Sequence, residues 1–328
     1  MTLQQTRIKS AELPSFASIA LAFLLLFSLA LLLRRADVAT ACMQNGLSLC
    51  ARAIIPSLFP FLVLSELLVA SGAGEWIISP IASPLGRILG LSRAGCCAVV
   101  LGLVCGFPTG ARCAILAYEK GTITKEECER AVACSSVPSS AFLIGTVGTM
   151  LWEDAKFGIF LYVFTVVSAL LSGFLLYVLQ KKRQKDKKTQ SATSRIRICF
   201  DRKMFTSAIR NATKNTLLIC AYVVFFSTLT GAVGLILARF SAGEKTNAIL
   251  GALLELSGGV SAAAELADRR FAMLLTSAAV GWSGISVHCQ MLSLCDGKDI
   301  SLRPYLAAKL MQAVGCVALM RMSILWLL

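Results

Sequence analysis

The sequence predicts an all-α polytopic membrane protein with about eight or nine spanning or re-entrant helices, built as two related halves. Composition is the first observation: hydrophobic residues make up 56% of the 328 residues, and charged residues only 15%. A soluble globular chain carries about 25% charged residues, so this much apolar surface requires lipid as a second solvent. The second observation is that apolar stretches long enough to cross about 30 Å of hydrocarbon recur along the chain. The third is that short motifs of small residues recur in the same order in both halves.

The first apolar run, residues 15–33, is predicted to be an uncleaved membrane helix. It is longer than the hydrophobic part of a usual signal peptide, and Arg34 and Arg35 follow it without a small-residue cleavage site. The mostly apolar segment between Glu75 and Arg93 contains two prolines, which predicts an interfacial helix or a broken loop. The other predicted spanning or re-entrant segments are residues 47–70, 95–118, 131–151, 158–179, 213–238, 248–266, 271–294 and 305–328.

Much of the formal charge of +14 lies in one basic run, residues 181–210, between two apolar blocks. This pattern predicts a solvated cytosolic linker held against anionic headgroups rather than a nucleic-acid partner. The chain then divides into an N-terminal membrane helix (1–40), a first membrane half (41–180), the linker (181–210) and a second membrane half (211–328). Alternating the segments as full spans from a cytosolic linker places Arg34, Arg35, Lys120, Lys125, Arg130, Arg269 and Arg270 inside, and Arg87, Arg93, Lys156, Lys245, Lys298 and Arg303 outside.

Enzyme and cofactor motifs are missing from the sequence. There is no Walker A, GxSxG or HExxH motif, and the 13 cysteines form no CxxC pair beside the single histidine. We therefore expect neither an enzyme nor a metal or other cofactor, and we expect the cysteines to act as small apolar residues in a reducing compartment.

An internal duplication is indicated by three motifs in each half. The first half contains Ser-Gly-Ala-Gly, Gly-Phe-Pro-Thr-Gly and Ser-Ser-Val-Pro-Ser-Ser at 71–74, 106–110 and 135–140. The second half contains Thr-Gly-Ala-Val-Gly, Ser-Gly-Gly-Val-Ser and Gly-Trp-Ser-Gly-Ile-Ser at 230–234, 257–261 and 281–286. Whether the two halves are parallel or inverted repeats depends on whether the regions of Gly106 and Gly258 span the membrane fully or re-enter.

Helix-breaking residues in the middle of apolar segments point to a transport site, because backbone groups freed within the bilayer must find partners inside the protein. The freed N–H groups at half-helix starts suit a carboxylate. The predicted substrate-binding residues are Gly106, Pro108, Thr109, Gly110, Arg112, Ser135, Ser136, Ser139, Ser257, Gly258, Ser283, Ser286, His288 and Gln290. Glu66 and Glu255 are the predicted binding residues for a coupling proton or sodium ion.

Structural explanations of the same residues stay open at this stage. The glycines, proline and serines are also typical of a kinked, tightly packed helix. The alternative for Arg112 is a side chain that extends to the membrane interface. The alternative for Glu66 and Glu255 is an ion pair with an arginine such as Arg52. His288 is on composition alone more often a packing residue than an active one.

Two stretches resemble known families. Residues 46–68, the Gly-Phe-Pro-Thr-Gly-Ala-Arg sequence at 106–112 and the helix start at 121–127 resemble a nucleoside-recognition "Gate" domain, with Arg112 in place of its usual lysine. The Gly-Ile-Ser-Val-His-Cys-Gln sequence at 284–290, with Asp299, Ile300 and the Arg-Pro-Tyr at 303–305, is similar to the end of YlbJ-type sporulation integral membrane proteins. The resemblance covers roughly residues 40–328, although 135–140 lacks the asparagines usual there.

This resemblance implies a secondary transporter, passive or gradient-coupled, for a small organic anion. In that family the implied solute is dipicolinic acid, which passes from the mother cell across the outer forespore membrane during sporulation. The implied partners are the anionic solute and membrane lipid, with a second copy of the chain or other sporulation membrane proteins as further candidates. The alternatives are a transporter of nucleosides or other heteroaromatic compounds, and a non-transporting protein of spore-envelope assembly.

Overall fold

A computed structural model describes residues 23, 26, 29, 30, 32–183, 199–238 and 243–327. It contains helices and no strand within these residues, which confirms the all-α fold class. Most of the predicted first helix, and residues 184–198 of the basic linker, lie outside the described residues. In chain order the helices are α1 (Ala36–Leu49), a π-helix (Cys50–Ile54), α2 (Ile55–Ala70), α3 (Ala73–Leu89), α4 (Arg93–Cys105), α5 (Thr109–Glu119), α6 (Lys125–Ser135), a second π-helix (Ala141–Leu151), α7 (Ala155–Arg183), α8 (Arg202–Ala238), α9 (Glu244–Leu254), α10 (Leu256–Ala264), α11 (Arg269–Trp282), α12 (Gly284–Cys295) and α13 (Arg303–Leu327).

Five stretches of the described chain are long and apolar enough to cross a membrane. The number becomes six if the pair α3 and α4, bent by 98°, is taken as one span. The predicted count of eight or nine is therefore not confirmed, although it included re-entrant segments. The five are Ala36–Ala70, Ala155–Lys181, Arg202–Gly234, Arg269–Cys295 and Arg303–Leu325.

Two of the predicted segments, 95–118 and 248–266, are hairpins of two short helices rather than single spans. In the first, hairpin A (α4 and α5), a Cβ built on Gly110 would lie 2.6 Å from the Cα of Gly102. In the second, hairpin B (α9 and α10), a Cβ on Gly251 would lie 3.1 Å from the Cα of Gly259. Residues eight positions apart in a straight helix are about 12 Å apart, so in each hairpin the chain turns back on itself.

Each hairpin is followed by an interrupted helix and then by a long helix. α6 and the π-helix Ala141–Leu151 follow each other along α7, because Cys134 packs on Gly173 and Gly148 packs on Gly158. α11 lies along α13, where a Cβ on Gly281 would meet the backbone of Ala313, whereas α12 contacts α13 through His288 and Tyr305. The two interruptions, break A (residues 136–139) and break B (Ser283), lie where small polar residues let the backbone leave the helix.

Contacts at the two ends of the molecule show that the hairpins enter from opposite ends. Near the linker, Lys298 Nζ binds Glu119 Oε1 at 2.7 Å, which places the base of hairpin A at the linker end. At the other end, Lys245 from the base of hairpin B binds Asp268 Oδ2 at 2.8 Å. Arg269 stacks there 4.6 Å from the ring centroid of Trp152. The hydrogen bond from Lys245 holds the pKa of Asp268 below its ordinary value.

The predicted distribution of positive residues is corrected by this arrangement. Lys298 was expected on the side opposite Lys120, yet it contacts Glu119, next to Lys120, at the linker end. Arg269, expected on the linker side, lies at the opposite end beside Trp152. The physical reason is that a re-entrant hairpin returns the chain to the membrane side from which it came. Treating a hairpin as a full span therefore places every residue beyond it, counted from the linker, on the wrong side of the membrane. Lys298 therefore lies with Lys125 at the linker end, and Arg269 lies with Lys245 at the opposite end.

The segment between Glu75 and Arg93, predicted as an interfacial helix or a broken loop, lies in the helix α3 as far as Leu89 and then in the short turn before α4. It carries one exposed apolar face that includes Trp76, Ile77 and Ile81, and it meets α4 at 98°. An amphipathic helix at a steep angle to a membrane helix fits the interfacial alternative.

Candidate functional site

The tip of hairpin A is pressed against break A. The chain turns at Gly106, whose φ of 79° lies in the left-handed region that favours glycine. A Cβ at Gly106 would lie 2.4 Å from the backbone nitrogen of Ser139, so no larger residue fits there. The Phe107 N–H donates to the carbonyl of Val137 at 2.7 Å. The hairpin tip therefore supplies a donor to an acceptor that break A frees from helical bonding.

The tip of hairpin B is closed by a carboxylate. Glu255 is buried between α9 and α10, and its two carboxylate oxygens accept from the N–H groups of Ser257 at 2.9 Å and Gly258 at 2.6 Å. The helix break predicted at 257–261 thus falls at Glu255, and Ser257 and Gly258 belong to the first turn of α10. The N–H groups at this helix start were predicted to bind a carboxylate of the solute, and they bind the carboxylate of Glu255 instead.

Hairpin B in turn packs on break B. Ser283 adopts a left-handed φ of 74° and Gly284 one of 79°. A Cβ on Gly284 would lie 3.0 Å from the backbone nitrogen of Leu256. The indole of Trp282 donates to the carbonyl of Leu253 at 3.2 Å. Both hairpin tips therefore contact the interruption of the helix that follows them.

A central cavity of about 60 Å³ lies where the two tips meet. The polar part of its wall comes from the tip of hairpin B, both breaks and one residue of α12. These residues are Glu255 and Ser257 of the tip, Ser139 of break A, Ser283 of break B and Gln290 of α12. Its apolar wall comes from the hairpin A tip, break A, α2, α8 and neighbouring helices, and is formed by Ile54, Leu58, Phe107, Pro138, Phe142, Ile219, Val223, Leu256 and Val287.

Two further cavities adjoin the central one. A larger outer cavity of about 560 Å³ runs along hairpin B from Glu244 and Glu265 at its base to Glu255 at its tip, with α1 and α8 opposite. A small inner cavity of about 10 Å³ lies on the linker side of Phe107, and it shares Phe107 and Gln290 with the central cavity. The three cavities follow one another from the end opposite the linker towards the linker end.

The inner cavity contains unpaired polar atoms. Asn215 and Gln290 both line it, and both side chains are more than nine-tenths buried. The Asn215 Nδ2 and Gln290 Oε1 atoms have no hydrogen-bond partner among the described residues. Buried amides are normally satisfied, so this pair marks a place for water or solute. Asn215 was not predicted, although an amide inside an apolar stretch is a signal for such a role.

Lys309 is a second residue that was not predicted. It lies in the first third of the spanning stretch Arg303–Leu325 of α13, and its side chain is completely buried. Its ammonium donates to Ser283 Oγ at 2.9 Å, directly behind the wall of the central cavity. One turn away along α13, Tyr305 Oη lies 2.8 Å from His288 Nδ1. His288 therefore faces α13 and does not line the three cavities described above.

Arg112 and Glu66, predicted for solute and coupling ion, bind each other. Arg112 Nη2 lies 3.2 Å from Glu66 Oε1, and Asn211 Nδ2 donates to Glu66 Oε2 at 3.3 Å. This three-residue contact joins hairpin A to α2 and α8. Neither Arg112 nor Glu66 is part of the walls of the three cavities. The geometry of Glu66 is therefore that of the structural alternative, a carboxylate paired with an arginine, and that arginine is Arg112.

Most of the remaining predicted residues pack hairpin A on α6. Cβ atoms built on Gly110 would meet the Cβ of Ser135 at 2.4 Å, and Ser136 Oγ donates to the carbonyl of Val132 at 2.6 Å. Pro108 precedes the first residue of α5, Thr109, and the buried Thr109 hydroxyl has no hydrogen-bond partner among the described residues. In α12, Ser286 Oγ accepts from the Gln290 amide at 3.4 Å.

The chain is similar along nearly its whole length to a curated protein. It is 24% identical over 348 aligned positions to the sporulation integral membrane protein YlbJ of Bacillus subtilis (strain 168), with 96% of this chain and 84% of YlbJ covered. The resemblance to the YlbJ type is confirmed. No family model matches the chain, so the likeness of the YlbJ-type first half to a Gate domain stays a prediction. No solved structure matches it either.

Proposed function

We propose that this YlbJ-type chain is a secondary membrane transporter with a role in sporulation, and that its solute is a small organic anion, first of all dipicolinic acid. Passage would lead from the mother cell into the forespore, with the protein in the outer forespore membrane. The relative from Bacillus subtilis is by its name a sporulation integral membrane protein, which supports the setting. The transport activity is supported by the geometry alone.

One observation carries the transport proposal: two helical hairpins from opposite ends of the molecule meet at a mainly apolar cavity, and both helix breaks add polar side chains to its wall. Hairpin tips and helix breaks leave backbone groups without helical partners, and within a bilayer such groups are tolerated where they line a site. Here both tips and both breaks contribute to one cavity wall, which contains Phe107, Ser139, Glu255 and Ser283. A purely structural membrane bundle has no need for this arrangement.

The cavities describe a closed conformation of the proposed transporter. Sites for small molecules usually measure about 300–1,000 Å³, whereas the central cavity has about 60 Å³. The outer cavity, about 560 Å³, is large enough and reaches Glu255. Solute would enter it from the end opposite the linker or leave through it, and binding between the tips requires that a hairpin moves. The packing of both tips on helix breaks, rather than on regular helix, gives each hairpin a place to hinge.

A neutral heteroaromatic solute such as a nucleoside is the second candidate. The observation in its favour is the charge of the cavity walls: Glu255 lines the central and outer cavities, and Glu244 and Glu265 line the outer one. Arg112, expected to bind a carboxylate, is paired with Glu66 instead. An acidic entrance repels a dianion, so a dipicolinate transporter of this shape would carry its solute together with protons or cations.

Counterflow in proteoliposomes tests the transport proposal. Vesicles preloaded with unlabelled dipicolinate should accumulate labelled dipicolinate above the level of protein-free vesicles, and excess nucleoside should not compete. Ser257→Leu, which fills the central cavity, should lower the flux strongly. Ser207→Leu, the same change at an exposed position of α8, should not.

The outcomes separate the candidates. Accumulation of labelled nucleoside without dipicolinate would select the second solute class. The absence of flux for both, with protein that is folded in the vesicles, would contradict transport and favour a non-transporting role in spore-envelope assembly. Equal flux in the Ser257 and Ser207 variants would contradict the assignment of the cavity.

A further inference from the structure

The most unusual charge in the described chain is the ammonium of Lys309. Its side chain is completely buried in a stretch of α13 that is apolar enough to span a membrane. No carboxylate of the described residues lies within 4.0 Å of it. An ammonium has three donors, and Ser283 Oγ at 2.9 Å accepts from one of them. Buried charges in membranes are ordinarily paired, and an ionisable side chain there is a functional candidate.

The position of Lys309 connects this charge to the central cavity. Ser283 lines that cavity, and its hydroxyl lies between the ammonium and the space enclosed by the hairpin tips. Because Ser283 Oγ already accepts from Lys309, its own hydrogen serves as a donor. At present it points to the carbonyl of Val280 at 3.2 Å, and a hydroxyl rotor turns easily to a better acceptor. The start of α12 at Ser283 has no side-chain cap, so the N–H groups of its first turn have no capping side chain as partner.

The other charged group at the cavity does not neutralise Lys309. Glu255 uses one oxygen for the N–H of Ser257 and the other for the N–H of Gly258. These bonds tie its negative charge to the positive end of α10. The two helix starts at the cavity therefore differ: the start of α10 is filled by Glu255, and the start of α12, with Lys309 behind it, is open.

We infer that the central cavity binds a carboxylate group of the solute at the start of α12, with Lys309 as its counter-charge and Ser283 as the hydrogen-bond donor between them. This inference rests on the proposed transport function and specifies its solute as a carboxylic acid anion with one ionised carboxylate at this position. Carboxylates are preferred because a charged acceptor strengthens each of these hydrogen bonds, whereas a carboxamide of equal shape leaves the ammonium unpaired.

The test compares two probes of nearly equal shape, the anionic pyridine-2-carboxylate and the neutral pyridine-2-carboxamide, by calorimetric titration of the purified protein. The wild type should bind the carboxylate more tightly. Lys309→Met should lower carboxylate affinity by about tenfold or more and leave carboxamide affinity within about twofold. Lys298→Met, the same change in a lysine paired with Glu119 at the linker end, should alter neither affinity. Replacing a buried charge by methionine should not lower the melting temperature.

The selectivity between the probes, rather than binding as such, decides the role of Lys309. An equal loss for both probes, or no loss for the carboxylate, would overturn the inference. If the wild type binds the carboxamide and not the carboxylate, the inference fails while the transport proposal stands. If the wild type binds neither probe nor dipicolinate, the transport proposal itself fails. If Lys309→Met does not fold, Lys309→Gln replaces it, and the ratio of its affinities for the carboxylate and the carboxamide is compared with that of the wild type.

Discussion

Gly259→Ala tests whether the two short helices of hairpin B really lie against each other. A Cβ at this position would lie 2.3 Å from both the Cα and the backbone nitrogen of Ala252, where ordinary contact begins at 3.4 Å. These neighbours are backbone atoms, so no side chain can rotate away. The helices must separate by about 1 Å to admit one methyl group, and the tip at Glu255 is displaced with them.

The magnitude follows from two opposing terms. In a helix with open space, alanine is more stable than glycine by about 1 kcal/mol. Overpacking of a tight contact costs about 1–3 kcal/mol. Gly145→Ala is the matched control, because Gly145 is an exposed helical glycine with nothing within 4 Å of its Cβ. Both variants gain the preference of a helix for alanine, so this gain cancels between them, and they should differ in unfolding free energy by about 1–3 kcal/mol, with Gly259→Ala the less stable.

Thermal unfolding in detergent, followed by circular dichroism, measures this difference. Gly259→Ala should melt several degrees below Gly145→Ala and should also lose dipicolinate flux in proteoliposomes. Equal melting temperatures for the two variants would refute the close helix contact and, with it, the hairpin. A straight helix through residues 248–266 would accept alanine at position 259 as readily as at 145.

Three further predictions concern the cap, the ion pair and the topology. Glu255→Ala removes both bonds to the start of α10 and should destabilise the protein by about 1–2 kcal/mol in the same assay; unchanged stability would contradict the capping role. Arg112→Met leaves the Glu66 carboxylate unpaired, so it should destabilise more than the double change with Glu66→Met; additive losses would contradict the pairing. Thr122→Cys and Asp296→Cys, both exposed, should react with an impermeant maleimide from the same membrane side and Lys156→Cys from the other. Labelling of position 296 together with position 156 would restore a full span in place of hairpin B.

Hydropathy alone was enough to predict an all-helical membrane protein, and the positions of the helix breaks were also predictable. Gly106 breaks the helix because glycine tolerates a positive φ, and Pro108 does so because proline has no backbone N–H to donate. The serines around 136–139 and at 283 accompany the other two breaks. These signals are local, so a single sequence contains them.

The hairpins could not be distinguished from spans in the same way. Residues 95–118 are apolar over a length that fits either a crossing or a return, and the choice depends on the contact of Gly102 with Gly110 and of both with Ser135. That contact is made across the fold, where no local pattern reports it. Lys298 and Arg269 were predicted on the wrong side of the membrane for this reason, because a hairpin taken as a full span exchanges the two sides for all the residues that follow it.

The predicted site residues stay a prediction, and the sequence analysis left out two polar residues near the cavities, Lys309 and Asn215. Glu255 was expected to bind a coupling ion, and the structure shows it capping α10 at the cavity wall. Lys309 carries the same sequence signal as Arg112, an ionisable residue inside an apolar stretch, and it was overlooked. Asn215 was overlooked for a different reason: its importance comes from the tertiary neighbour Gln290 and from the tip of hairpin A.

The central claim, that solute occupies the space between the hairpin tips, is tested most directly by solute protection of one introduced cysteine. Ser257→Cys, in a chain whose 13 native cysteines are replaced, lies in the wall of the central cavity. A small water-soluble thiol reagent should modify it, and saturating dipicolinate should slow that reaction by about tenfold or more. Ser207→Cys, exposed on α8, should react at one rate with and without solute. Modification of Ser257→Cys at the same rate with bound dipicolinate would contradict the account.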